Sequence, residues 1–287
     1  MKKVIVLIVI LISVVCLKQV LPHNGILTAI SSLSVKKTSS ANIASVSKNA
    51  KTNTIKKTGK STENQAVTTQ NIPVLMYHKL TTNPKKVNPL VILKSTFSAQ
   101  MRYLKTHGYS AISLDQLLNY VSKGSPLPKK PVVLTFDDGY VSNYTIAYPI
   151  MKANNQVATV FMIASDIDSY YDSLTSKDLR IMDANNFRVE NHTYKHENLG
   201  KLSYASQLAT IIKAKQKLQK VLGRQEVYLA YPDGGYNSNT KKACQAAGVK
   251  MGLSTNNGLP TRKSDLFTIG RIYVNATESL STFAKKL

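Results

Sequence analysis

Two rhythms of apolar residues alternate from residue 72 onward. Short unbroken runs give way to residues spaced three and four apart, and the runs then return. The segments 72–78, 132–136, 158–163, 187–190, 226–231, 249–254 and 267–274 are rich in β-branched and aromatic residues, which predicts strands. Between them, Phe97, Met101 and Leu104 repeat at helical spacing over 96–107 and are stopped by Gly108. Ser113 reads as the N-cap of a helix over 114–123 whose apolar face carries Leu117, Leu118 and Val121. Further helices are predicted over 143–154, where Pro149 should kink or delimit the segment, and over 176–186 and 239–247. The longest spans 203–222, with Leu208, Ile211, Ile212, Ala214 and Leu218 on its buried side. Strands alternating with helices predict an α/β fold with a largely parallel sheet. The number of units favours a closed or nearly closed barrel, and no internal repeat is present.

The first quarter of the chain breaks this pattern. Met1-Lys2-Lys3 precedes an uncharged apolar stretch, Val4 to Leu17, which reads as a secretory signal and is short for a spanning helix. With no convincing small-x-small cleavage site, an uncleaved anchor stays open, so 1–30 is expected to be a signal peptide or membrane anchor. Ser13-Val14-Val15 is a poor lead-in to lipidation at Cys16. Residues 31–71 are Ser, Thr, Asn, Ala and Lys with Glu63 as their single acid and no aromatic residue; such a segment cannot bury enough to order itself and is expected to be a tether. The domain is then 72–287, exported to the cell surface or beyond. Its one cysteine, Cys244, has no partner outside the signal segment, so packing must supply its stability.

A formal net charge of +23 invites a nucleic-acid partner. The lysines are spread through tether and helices, form no basic stripe with stacking aromatics and accompany no nucleic-acid motif, which argues against one. For an exported chain the expected anionic surroundings are cell-wall polymers or lipid head groups.

Candidate chemistry sits at two places. Val132-Val133-Leu134-Thr135-Phe136 is followed by Asp137-Asp138-Gly139, which puts two acids on the loop at the C-terminal end of a buried strand, where active sites of α/β sheets collect. Downstream stands His192-Thr193-Tyr194-Lys195-His196. On a helical turn this spacing would align both imidazoles on one face, close enough to share an ion. Two histidines and one of the aspartates make a His/His/Asp metal site with room for water, pointing to a metal-dependent hydrolase.

With Tyr231-Pro232-Asp233-Gly234 added, the three motifs in this order resemble the polysaccharide deacetylases of carbohydrate esterase family 4 over roughly Pro73 to Val274. The opening Pro73-Val74-Leu75-Met76-Tyr77-His78 and the segment Arg271-Ile272 are most similar to the branch that deacetylates poly-N-acetylglucosamine in biofilm-adhesin synthesis. The resemblance implies a distorted (β/α) barrel and a divalent metal, commonly zinc, with cobalt or nickel as substitutes. It implies that Asp138, His192 and His196 hold the metal and that Asp137 is the general base. The backbone N–H of Asp233 would stabilise the oxyanion. The implied substrate is an N-acetylglucosamine polysaccharide, either poly-N-acetylglucosamine or, as the alternative, peptidoglycan. A carbohydrate-binding protein with impaired catalysis is the alternative of another class.

Three departures qualify the likeness. No histidine follows His196, where the wider family often has one, so His78 is expected to act as general acid or to stabilise the intermediate. Ala230 stands where many members place an arginine, and Arg271 is expected to take over by pairing with Asp137. Asp233 replaces an aromatic residue, and Asn191 replaces a serine. The chain has no tryptophan, which leaves sugar stacking to tyrosines such as Tyr77, Tyr140 or Tyr236.

Overall fold

A computed structural model describes residues 70–287. The signal or anchor at 1–30 and nearly all of the tether at 31–71 lie outside the described residues. In chain order the elements are β1 (Val74–Tyr77), β2 (Lys79–Thr81), β3 (Val91–Leu93), α1 (Lys94–Thr106), β4 (Ser110–Ala111), α2 (Leu114–Lys123), β5 (Pro131–Phe136), α3 (Tyr148–Ala153), β6 (Ala158–Met162), α4 (Ser176–Asp183), β7 (Phe187–Asn191), α5 (Tyr204–Leu222), β8 (Tyr228–Ala230), α6 (Thr240–Ala246), β9 (Met251–Leu253), β10 (Ile272–Tyr273) and α7 (Leu280–Ala284). No helix among the described residues is long and apolar enough to cross a membrane.

The main sheet runs β10-β1-β5-β6-β7-β8-β9, with every neighbouring pair parallel. All strand C-termini therefore meet at one end. Every residue of β1, β5 and β6 is buried, as expected for parallel strands covered on both faces. Side chains alternate between two cores. Leu75, Tyr77, Leu134 and Phe136 pack with Phe97, Met101 and Leu104 of α1, whereas Val74 and Val133 join Phe161, Tyr228, Met251 and Leu253. The rings of Tyr77, Phe97 and Phe136 meet with centroids 5.3–5.8 Å apart. Burying each of these large side chains contributes roughly 1.5–3 kcal/mol. They anchor the strand end directly before Asp137.

The sheet curls into a distorted, nearly closed (β/α) barrel whose seam lies between β9 and β10. Irregular backbone bridges part of it: the N–H of Gly252 donates to Leu266, that of Ile269 to Gly252, that of Ser254 to Ile269 and that of Arg271 to Asn256. The strand predicted over 267–274 is thus reduced to Ile272–Tyr273 plus a single bridge at Ile269. Gly270 explains the interruption, since a Cβ there would lie 2.9 Å from the Asn256 carbonyl oxygen and 3.0 Å from the Cα of Gly258.

Ser113 caps α2 as predicted, in a reciprocal capping box with Gln116. Pro149 falls in the first turn of α3, where its missing N–H costs nothing, and a wider π-type turn at Asn143–Ala147 precedes it. The helix expected over 176–186 stops at Asp183, and a turn through left-handed Asn186 leads into β7. Two short parallel strands, β2 and β3, and α7 lie where no element was predicted.

Candidate active site

The alternation of β5 carries Val133, Thr135 and Asp137 on one side, so Asp137 emerges over the inner core. An adjacent residue would ordinarily point away. Asp138 instead takes φ 72° and Gly139 φ 78°, a left-handed reversal that turns the second carboxylate to the same side as the first. Gly139 cannot be exchanged cheaply, because its φ of 78° strains any residue that carries a Cβ, and a Cβ there would also have to displace the Sδ of Met162.

His192 follows β7 directly. Its Nδ1 lies 2.9 Å from the Ala230 carbonyl oxygen and donates to it, leaving the Nε2 lone pair facing inward. That Nε2 is 3.4 Å from Asp138 Oδ1, and the Nε2 of His196 is 3.5 Å from the same oxygen. Asp138 Oδ1 is buried and has no hydrogen-bond donor. Three electron-rich atoms thus converge within 4.8 Å of one another. Such a cluster fits a cation, and the donor set of two imidazoles and a carboxylate leaves a position open, as catalytic zinc sites do.

The helical turn expected to align the two histidines is absent. The segment is a turn in which Thr193 and His196 have φ 63° and 59°. Asn191 holds it in place: its Oδ1 accepts the Thr193 N–H at 2.8 Å, while its Nδ2 donates to the Ile211 carbonyl and to Glu226. Glu197 and Thr210 brace the far side, taking the N–H groups of Lys195 and Tyr194. From sequence only Asn191 was noted, as a replacement for serine, and its bracing role and those of Glu197 and Thr210 were not, although a polar residue ending a buried strand is a signal for one.

Arg271 reaches Asp137 as expected, and the contact is bidentate. Its two terminal nitrogens donate to the two carboxylate oxygens at 2.7 Å each, with the arginine 0% and the aspartate 3% exposed. Its Nε donates to the Ser254 carbonyl, and a longer contact reaches Thr135 Oγ1. Burial would raise the Asp137 carboxyl. The Arg271 guanidinium, helped by His192 and His78, overrides burial and holds the acid well below the usual carboxylate range.

His78 follows β1, close enough to sense both aspartates, yet burial lowers its imidazole below the ordinary value. Its carbonyl accepts from the Asn143 side chain. Asp233 is exposed at φ 55°, with its carboxylate taking a bond from Asn198 at 3.3 Å. Gly234 and Gly235 donate their N–H groups to Tyr231 and Pro232, while the Asp233 N–H has no acceptor among the described residues. Of the tyrosines named from sequence, Tyr77 is excluded as a sugar platform, being 2% exposed with its hydroxyl on Gln100. Tyr140 is half-buried and Tyr236 exposed.

Comparison with known proteins gives this arrangement a family. The polysaccharide deacetylase family model matches residues 124–252. A Bacillus subtilis (strain 168) relative, YxkH, named among the polysaccharide deacetylases, is 31% identical over 212 residues, covering 74% of each chain. This chain belongs to the polysaccharide deacetylases. The poly-β-1,6-N-acetyl-D-glucosamine N-deacetylase of Staphylococcus aureus (strain MRSA252) is 31% identical to this deacetylase over 205 residues, covering 67% of this chain and 70% of the relative. Among solved structures, the Streptococcus pyogenes deacetylase PplD in complex with acetate superposes with a TM-score of 0.72 at 28% identity, covering 76% of this chain and 99% of that one. The deacetylase is accordingly a hydrolase of amide bonds, and its parallel sheet, with loops gathered at the strand C-termini, is the (β/α) barrel of the family.

Proposed function

We propose that this deacetylase removes N-acetyl groups from N-acetylglucosamine units of an extracellular polysaccharide of the poly-N-acetylglucosamine type, releasing acetate. The observation that carries the reading is the buried carboxylate of Asp137, held in a bidentate pair by Arg271 beside the cluster of Asp138, His192 and His196. The Staphylococcus aureus relative supports the choice of polymer.

Asp138, His192 and His196 would hold a divalent ion, zinc first, with cobalt or nickel as substitutes. When bound, it supplies Lewis-acid polarisation of the acetamide carbonyl and lowers the pKa of water from about 15.7 toward ~7. Asp137 takes the proton of the attacking water, and Arg271 keeps it ionised and aimed. The Asp233 N–H donates to the developing oxyanion. His78, close to both aspartates, serves the leaving amine or the oxyanion. Cleavage of the C–N bond leaves acetate and a free amine.

The N-terminal basic and apolar segment and the Lys/Ser/Thr-rich tract support export, with a tether among anionic wall polymers or at a membrane surface. Fractionation of cells making the full chain checks this; recovery in the cytoplasm would refute it.

The test of activity is acetate release from β-1,6-linked N-acetylglucosamine oligomers by chelated protein, before and after zinc, cobalt or nickel is restored. Activity that returns with metal is expected. Release from peptidoglycan fragments alone would move the substrate to the wall, while glycan binding with no release from either polymer would make the chain a carbohydrate-binding protein. His78→Ala should lower kcat by about a hundredfold with the metal retained. His78→Gln should recover part of the loss if His78 acts as a hydrogen-bond donor, and none if it transfers a proton.

A further inference from the structure

Away from the reacting groups, the loop joining β6 to α4 exposes two adjacent aromatic rings. Tyr170 is 46% and Tyr171 89% exposed, and their centroids lie 4.8 Å apart at an interplanar angle of 58°. Exposed tyrosines on a surface loop need no explanation by themselves. These two differ because the loop under them is fastened to two of the strand ends that carry the chemistry, those of β5 and β1.

Backbone bonds from Val141 to Asp172 and from Leu174 to Gly139, at 2.8 and 2.9 Å, tie the loop to the segment that begins with Asp137 and Asp138. Ser173 forms a bridge with Tyr140, and its hydroxyl donates to the Gly139 carbonyl. On the other side, Asp172 forms an ion pair with Lys79, the residue after His78, and the Lys79 ammonium lies 5.3 Å from the centre of the Tyr140 ring. Within the loop, the Tyr170 N–H donates to Asp166 and its carbonyl accepts from Ser173. The rings are therefore held at a fixed place relative to the site while their faces stay in solvent.

The surroundings limit what such faces can hold. Residues 164–175 carry Asp166, Asp168 and Asp172 and no Lys or Arg, in a chain whose formal charge is +23. Within the loop there is no cation to bind an anionic lipid head group or an acidic polymer, Lys79 being paired with Asp172, whereas a neutral or amino sugar needs none. In a chain without tryptophan, tyrosine is the large ring available to lie against the C–H face of a pyranose, and its two side-chain torsions make it inexpensive to order.

We infer that Tyr170 and Tyr171 form a subsite that stacks a pyranose of the polymer lying beyond the unit next to the one deacetylated. This rests on the proposed polysaccharide substrate and adds where the chain lies: across the loops following β5 and β6, on the opposite side of the histidine turn from Tyr236 in strand order. The enzyme then reads polymer length, and a disaccharide leaves the platform empty.

The test compares the holoenzyme with Tyr170→Ala/Tyr171→Ala and Tyr170→Phe/Tyr171→Phe on dimers and hexamers of N-acetylglucosamine. The alanine pair is expected to lose about tenfold in kcat/KM on the hexamer, mainly through KM, with the dimer unchanged, and the phenylalanine pair to keep parental values. Equal losses on both lengths, or none on the hexamer, overturn the subsite. Calorimetric titration of hexamer into metal-free protein separates the two readings. Binding weakened by the alanine pair upholds the platform even if no acetate is released, and binding indifferent to it refutes the platform even if deacetylation proceeds.

Discussion

Asp137→Asn is expected to lower kcat for acetate release by about a thousandfold, within the range ascribed to a positioned general base, while the chain still binds its metal. The substitution keeps shape and removes the carboxylate proposed as base, leaving Asp138 to the metal. It also strips the fully buried Arg271 of its counter-charge, which costs about 3–5 kcal/mol when a buried pair is broken from one side. Loss of activity through unfolding is separated by the double variant Asp137→Asn/Arg271→Met, which buries no charge and should regain much of the melting temperature without regaining turnover. Parental turnover in Asp137→Asn, measured by acetate release at matched metal content, would remove Asp137 from the base role.

Arg271→Met should be nearly as damaging for a different reason. Here the carboxylate is left alone in the interior, again at a cost of about 3–5 kcal/mol, and its pKa is driven up by burial that nothing offsets. In the parent, the depressed folded-state pKa of Asp137 contributes stability that is present above the unfolded value of about 3.9 and lost as pH falls through the folded value. In the variant the sign reverses: the folded-state pKa lies above the unfolded one, so stability falls as pH rises through that window. Thermal melts of the metal-free proteins at pH 5 and pH 8 should therefore show the larger parent-to-variant gap at pH 8. The kcat/KM profile of the metal-loaded variant should gain an acid limb that the parent lacks. A gap equal at both pH values would mean that Arg271 stabilises the chain without governing the ionisation of Asp137.

The features legible in the sequence are those governed by side-chain period and end chemistry. The run before Asp137 reads as a buried strand because parallel strands covered on both faces carry continuous apolar residues, and Ser113 with Gln116 marks a helix start by the bonds each can make. The Arg271 contact was legible because Ala230 left a carboxylate without its usual partner. The histidine turn was not, because a spacing of four suits a helix and also a reversal through left-handed residues. The sign of φ at Thr193 and His196 is set by Asn191 and Thr210 from outside the motif. The seam was misread for a related reason. The residues of 267–274 have strand composition, but the close approach of Gly270 to Asn256 and Gly258 interrupts the pairing. β2 and β3 are three residues each, too short for a period to show. The tyrosine platform was missed because nothing in Tyr170-Tyr171 announces which neighbours will hold its loop.

The pairing of Arg271 with Asp137 spans 134 residues, and the same stretch of backbone that delivers the arginine also bridges the barrel seam. During synthesis from the N-terminus, every strand from β1 to β9 emerges while Asp137 still lacks its counter-charge. Both carboxylates, the two histidines and the loop at Asp233 are then present in a chain that has no counter-charge for Asp137. If Asp137 is the base we propose, closure of the barrel and readiness for catalysis are one event in time, and a chain halted before Arg271 carries the three motifs of its family with that carboxylate unpaired.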